Sequence, residues 1–222
     1  LSEYKVILKV LVGSRAHGLA NPDSDSDYRG VFVAKTSDML KLGGSTKSTQ
    51  WIEAKDDDTS YEIGHFLHLA TKSNPSILEV FASPVMESTP EGIALRDLFP
   101  YVWSKKRVLD AFVGYSRNQQ KKMMDDKYES RERKWKYAVA YVRVLLQAQS
   151  LLATGMMPVK IPDKWIEELR EIKAGRWTVG MIVDLVDRLK VGLFDIYEKT
   201  PDKEMDQGPI NAYLLALRKA NW

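Results

Sequence analysis

The chain has 222 residues, a formal net charge of +3 and no cysteine, which excludes a disulfide framework and any thiolate-ligated metal site. No apolar run approaches the roughly 18 residues that a membrane span needs, and the first residues lack the basic-then-apolar pattern of a secretory leader. A cytoplasmic protein with no membrane partner is expected, built as one large domain or two small ones.

In chain order, residues 4–12 (YKVILKVLV) read as a largely buried strand ended by glycine. Residues 14–20 suit a short helix or turn. DYRGVFVAKT, from Asp27, reads as a second strand, TQWIEAK (49–55) as a third and DTSYEI (58–63) as a fourth after an acidic turn. Ile63, Phe66, Leu67 and Ala70 then fall on one helical face. Asn74-Pro75 breaks that helix, and PSILEVF reads as a further short one. Thr89-Pro90 marks a helix start, with proline at the first helical position. Beyond it the pattern is helical, with long segments at about 104–124, 131–154, 163–174 and 178–199 and a last one opened by Gly208-Pro209. The fold class is therefore α+β: a small mixed β-sheet in a catalytic domain over 1–100, followed by an all-helical C-terminal domain over 101–222.

Charge is distributed unevenly. Residues 1–103 hold ten Lys and Arg against fourteen Asp and Glu, whereas residues 104–143 hold twelve against five. A basic run of this kind is either a solvated helix face or a surface for phosphates.

Asp23, Asp25 and Asp27 alternate just after Gly13-Ser14. Carboxylates two apart on a strand share a face, about 6.6–6.8 Å apart along the chain, and such oxygens suit hard cations such as Mg²⁺. A calcium loop starting at Asp23 requires Gly at its sixth position and Glu at its twelfth; Tyr28 and Ala34 stand there. A glycine ending a buried strand lets backbone N–H groups approach an anion, and a following helix adds its positive end. No G-x-x-x-x-G-K-[ST], G-x-G-x-x-G or G-x-S-x-G motif occurs. Of the three histidines, His65 and His68 are three apart on a predicted helix but lack the further ligands of a zinc site.

A strand ending in Gly-Ser, about ten residues, and then D-x-D on the next strand resembles the nucleotidyltransferases of the DNA polymerase beta superfamily. The fuller blocks GSRAHG with PDSDSDYRG, then DDTSYEIGHFLHL with KSNPSILEVF, and more loosely KYAVAYVR with LLATG, resemble the RNA-ligase-associated nucleotidyltransferases of bacteria and phages. The resemblance touches most of residues 10–155. It implies that Gly13 and Ser14, with Arg15, hold the triphosphate. It also implies that Asp25 and Asp27 bind metal, joined by a third carboxylate at Asp57 or the adjacent Asp58. Lys136 and Arg143, seven apart on one helix, are implied in contacts to the triphosphate or the acceptor, although Ala140 stands where a histidine is expected between them.

The implied reaction is two-metal transfer of a nucleoside monophosphate from an NTP (ATP included) to an acceptor hydroxyl, with Mg²⁺ or Mn²⁺ as cofactor. An RNA end is the acceptor that the basic segment suggests. The alternatives are a protein or small-molecule acceptor, or a nucleotide-binding protein that keeps the fold without turnover.

Overall fold

A computed structural model describes residues 4–42, 49–51, 59–125 and 131–222. The sheet begins with β1 (Lys5–Val12), whose apolar run ends at Gly13, where α1 (Gly13–His17) starts at once. β2 (Asp27–Val33) returns antiparallel to β1, pairing Val12 with Asp27 and Val10 with Arg29. The expected second strand stops at Val33, because Thr36 opens a short helix, α2 (Thr36–Leu40). β3 (Thr49–Trp51) pairs antiparallel with β4 (Thr59–Glu62), and β4 runs parallel to β2 with Arg29 opposite Thr59 and Phe32 opposite Glu62. The remainder of the expected third strand, 52–55, lies outside the described residues.

β4 passes without a loop into α3 (Ile63–Thr71), whose first turn is capped by Glu62 accepting from the Gly64 amide. Ser73, at φ +54°, ends the run, and Pro75 opens α4 (Pro75–Ala82). A strand absent from the sequence reading follows: β5 (Val85–Ser88) pairs antiparallel with β1. All four of its residues are exposed, so no alternation of apolar and polar residues marked it. The strand order is β3-β4-β2-β1-β5, with β2–β4 the parallel pair, so the sheet is mixed as expected and the long helices follow it. Thr89 caps α5 (Pro90–Arg96), as Thr89-Pro90 predicts, and a short 3₁₀ turn (Phe99–Tyr101) follows. Phe66, Phe81 and Phe99 pack in series as tilted ring pairs, with centroids 5.2 and 5.8 Å apart; the core also includes Ile7, Val10, Val31 and Phe32.

Four helices follow: α6 (Lys105–Met124), α7 (Arg131–Thr154), α8 (Asp163–Lys173) and α9 (Val179–Lys199). α7 packs against each of the other three, through buried Tyr141, Leu145, Ala148 and Leu152. Gly155 and Gly175, both at φ +73°, end α7 and α8. Gly175 has no room for a side chain: a Cβ there would stand 2.5 Å from Nε1 of Trp135. A last helix, α10 (Gln207–Ala220), is capped by Asp206.

The compact units differ from two consecutive blocks split at residue 100. The first comprises Leu1–Lys72, Ser76–Trp103 and Glu204–Trp222; the second comprises Ser73–Pro75 and Ser104–Lys203. The C-terminal helix thus belongs to the sheet-containing unit. Arg218 on α10 donates to Glu62 at 2.7 Å, with side chains 16 % and 4 % exposed. Thr36 donates through its amide to the Asn221 carbonyl (2.8 Å) and through its hydroxyl to the Arg218 carbonyl (2.7 Å). Tyr213 donates to the Glu91 carbonyl at 2.8 Å. Periodicity identifies a helix at α10 but says nothing of which core it joins. Among the described residues, no helix is long and apolar enough to cross a membrane.

Candidate active site

The site grows from the junction of β1 and α1. Gly13 is left-handed, at φ +71°, a conformation open to glycine and strained for other residues. Its missing side chain has a second consequence. A Cβ there would lie 1.9 Å from Oδ2 and 2.9 Å from Cγ of Asp27. The Asp27 carboxylate therefore occupies the space that any other residue at position 13 would fill. This contact follows from the pairing of Val12 with Asp27, which ends the β1–β2 ladder at the start of α1.

α1 is closed at its far end by Gly18, at φ +76°. The Gly18 amide donates to Arg15 and the Leu19 amide to Ser14, the paired bonds of a Schellman turn. Ser14 is half-buried and Asp27 partly exposed, whereas Asp25 is exposed. Arg15 is also exposed, and its Nε and Nη2 both donate to the Ser24 carbonyl, at 3.0 and 2.5 Å. Ser24 itself closes the loop, accepting from the Asn21 amide with its hydroxyl and donating its amide to the Asn21 carbonyl. Arg15 thus holds the segment that leads into Asp25, a task its sequence position did not reveal. Asp23 is exposed within the same loop.

Asp57 and Asp58 lie outside the described residues. They precede Thr59, the β4 partner of Arg29. Among the described residues no three His, Asp or Glu side chains group as a metal site; Asp27 opens β2 beside Gly13, and Asp25 lies two residues before it in the preceding loop. Lys136 and Arg143 belong to the second unit. Lys136 is exposed on α7. Arg143 is half-buried and donates to Gln147 at 3.0 Å, while Gln147 donates to the Pro158 carbonyl at 3.1 Å. In the same unit Lys122 of α6 lies over the Tyr137 ring of α7 at 5.3 Å, and Lys134 lies over the ring of its α7 neighbour Trp135 at 5.8 Å.

Two residues near the site carried no signal as a pair. His17 ends α1, Glu79 sits on α4, and His17 Nε2 is hydrogen-bonded to Glu79 Oε1 in the interior. Both lie inside blocks singled out in the sequence, GSRAHG and KSNPSILEVF, yet 62 positions separate them, and only folding brings them together.

The family described as RlaP, RNA repair pathway DNA polymerase beta family, matches residues 2–195. Its match ends before α10. A curated relative, an uncharacterized 38.9 kDa protein of the nrdC-mobD intergenic region of Enterobacteria phage T4, is 28 % identical over 135 residues. That alignment covers 53 % of this chain and 38 % of the phage protein.

Proposed function

We propose a specific reaction for this chain, which belongs to the RNA repair pathway DNA polymerase beta family: transfer of a nucleoside monophosphate from an NTP to an acceptor hydroxyl. The observation that carries this reading is the contact between Gly13 and Asp27. It puts a turn with phosphate-binding chemistry directly against a carboxylate, so a triphosphate and its counter-cation would share one end of the sheet.

The donor set fits a divalent cation, because carboxylate oxygens are hard ligands: the Gly13 turn adjoins Asp27, and Asp25 precedes it by two residues. Asp57 is our choice as the third carboxylate. In sequence it stands two positions before Thr59, as Asp27 stands two before Arg29, the partner of Thr59; the adjacent Asp58 is the alternative. Mg²⁺ or Mn²⁺ bound by these groups supplies positive charge that acidifies the acceptor hydroxyl and offsets charge on the leaving pyrophosphate.

The chain's own residues then do the rest. Ser14 donates its hydroxyl, and Gly13 its backbone, to phosphate oxygens of the NTP. Asp25 and Asp27 would hold the cation whose charge lets the triphosphate lie against them in line for attack. The acceptor oxygen forms a bond to the α-phosphorus as the bond to the β-phosphate oxygen breaks and pyrophosphate leaves. A carboxylate oxygen of Asp57 takes the hydroxyl proton. Arg15 keeps the Asn21–Ser24 turn in place, so that Asp25 stays at the end of β2.

The basic and aromatic surface of α6 and α7 favours an RNA end as acceptor. Cations above aromatic rings suit a single-stranded nucleic acid, which offers phosphates and stacking faces together. Incubation with each α-labelled NTP, Mg²⁺ and separate pools of RNA, protein and metabolites tests the proposal. Label on RNA supports it, label on a protein or metabolite redirects the acceptor, and no transfer to any pool favours a nucleotide-binding role without turnover.

A further inference from the structure

Behind the Gly13–Ser14 turn lies a polar pair that the reaction above does not use. His17 and Glu79 are 8 % and 6 % exposed, and the imidazole Nε2 meets the carboxylate Oε1. Such a pair rarely adds stability over apolar side chains of similar volume. It does add direction, because a hydrogen bond fixes an angle that an apolar contact leaves free.

α1 is an element that needs direction. It has five residues, no side-chain N-cap and no acidic residue in its first turn. A helix this short does not hold itself in water, so its orientation comes from what its side chains reach. Ala16 and His17 are its buried residues, and of these His17 carries a polar group to another element. The post it reaches is firm. Leu78 and Val80, on either side of Glu79, are fully buried, and the Glu79 carbonyl accepts from both the amide and the hydroxyl of Ser83, at 3.0 and 2.8 Å. Ser14 lies one helical turn before His17. Gly13 cannot move toward Asp27, because their atoms already fill the available space. A small rotation of α1 would therefore misplace the hydroxyl and amides of the turn.

We propose that His17 and Glu79 are a positioning pair: their hydrogen bond locks α1 against α4 and so presents Gly13 and Ser14 to the triphosphate in one orientation. Neither side chain touches the nucleotide. The consequence for nucleotide binding rests on the nucleotidyltransferase reading, whereas the locking of α1 does not.

The test compares wild type, Glu79→Gln, which keeps an acceptor oxygen, and the double variant His17→Leu with Glu79→Leu, which fills the space without direction. Melting temperature, amide hydrogen exchange over residues 13–19 in the nucleotide-free protein, affinity for a non-hydrolysable NTP, and kcat are measured on each. The double variant is expected to melt near wild type, to exchange about tenfold faster at residues 13–19 with β1 and β2 unchanged, and to bind the analogue about tenfold more weakly. KM rises with it, kcat falls less, and Glu79→Gln restores both exchange and affinity. Wild-type exchange at 13–19 in the folded double variant overturns the proposal, as does faster exchange with unaltered affinity. If wild type binds no nucleotide at all, the nucleotidyltransferase reading fails, and the exchange data still decide whether the pair locks α1. Should the double variant unfold below the assay temperature, Glu79→Asp, whose shorter side chain withdraws the acceptor, takes its place against Glu79→Gln with the same outcomes.

Discussion

Gly13 and Asp27 share one volume: the side chain that glycine lacks is the place where the Asp27 carboxylate sits, with Oδ2 1.9 Å from where a Cβ would be. Gly13→Ala must therefore push the carboxylate aside as well as strain a left-handed backbone. The strain costs about 1–3 kcal/mol, and a displacement of about 1 Å at a reacting centre lowers the rate by about a hundredfold. Transfer assays and thermal melts on the purified variant check both effects. Near-wild-type transfer by Gly13→Ala would separate the glycine turn from the chemistry.

Asp25→Ala and Asp27→Asn each remove a proposed metal ligand. A loss of about 4 kcal/mol of transition-state stabilisation corresponds to about a thousandfold in rate. Like charges held together also repel, so Asp27→Asn without metal should be at least as stable as wild type. Metal bound only by the folded state raises stability by about 2.7 kcal/mol at a hundred times its dissociation constant. Melts with EDTA, with Mg²⁺ or Mn²⁺, and with metal plus NTP should show this rise in wild type and little of it in Asp27→Asn. Equal shifts in the two proteins would place the metal elsewhere.

α10 lies beyond the residues that match the family, yet its Arg218 neutralises Glu62, whose side chain is 4 % exposed. Arg218→Met should destabilise by about 3–5 kcal/mol, because it leaves a buried carboxylate without its partner. Adding Glu62→Gln should recover much of that loss, since the amide oxygen still caps α3 at the Gly64 amide. Urea titrations of the single and double variants measure the recovery. Equal stability of Arg218→Met and wild type would show the pair to be energetically idle.

Salt dependence addresses the acceptor. Each phosphate neutralised by α6 or α7 releases condensed counterions, so RNA affinity should fall steeply between about 50 and 200 mM salt. Replacing Lys121 and Lys122, both exposed on α6, with Gln should reduce the slope. Fluorescence anisotropy with a labelled single strand reads both. A flat dependence would favour a small molecule or protein as acceptor.

Acid stability carries a separate signature. The hydrogen bond from Lys5, reinforced by Thr89 and its own backbone, holds the Glu91 carboxyl down at about 2, against an ordinary 4.5. The unfolded chain binds that proton more readily. The contribution of Glu91 is thus complete above its ordinary value and is lost as pH falls from there toward about 2. Because the pair is partly exposed, added salt should weaken it. The stability difference between wild type and Glu91→Gln, followed by acid titration, should shrink over that window. A difference that stays constant throughout it would rule the pair out as the cause.

Much of the site was legible because its chemistry is local. Gly13-Ser14 at the end of an apolar run, and Asp25 and Asp27 at the start of the next strand, lie within fifteen residues of each other. A single antiparallel turn of chain brings them to one sheet end. The helix starts at Thr89-Pro90 and Thr178 and the stops at Gly155 and Gly175 are local too, since capping and left-handed turns depend on a few adjacent residues. Tertiary structure alone decided the rest. The β5 strand exists because β1 offers it an unpaired edge, and its own exposed residues carry no pattern. Glu79 meets His17, and Arg218 meets Glu62, across 62 and 156 positions. Buried polar groups must find partners, but the chain's composition does not say which. The sequence by itself singled out the residues proposed to touch a nucleotide; which distant side chains pack behind them was settled only when the core closed, because hydrogen bonds between remote elements follow from packing and leave no periodic mark along the chain.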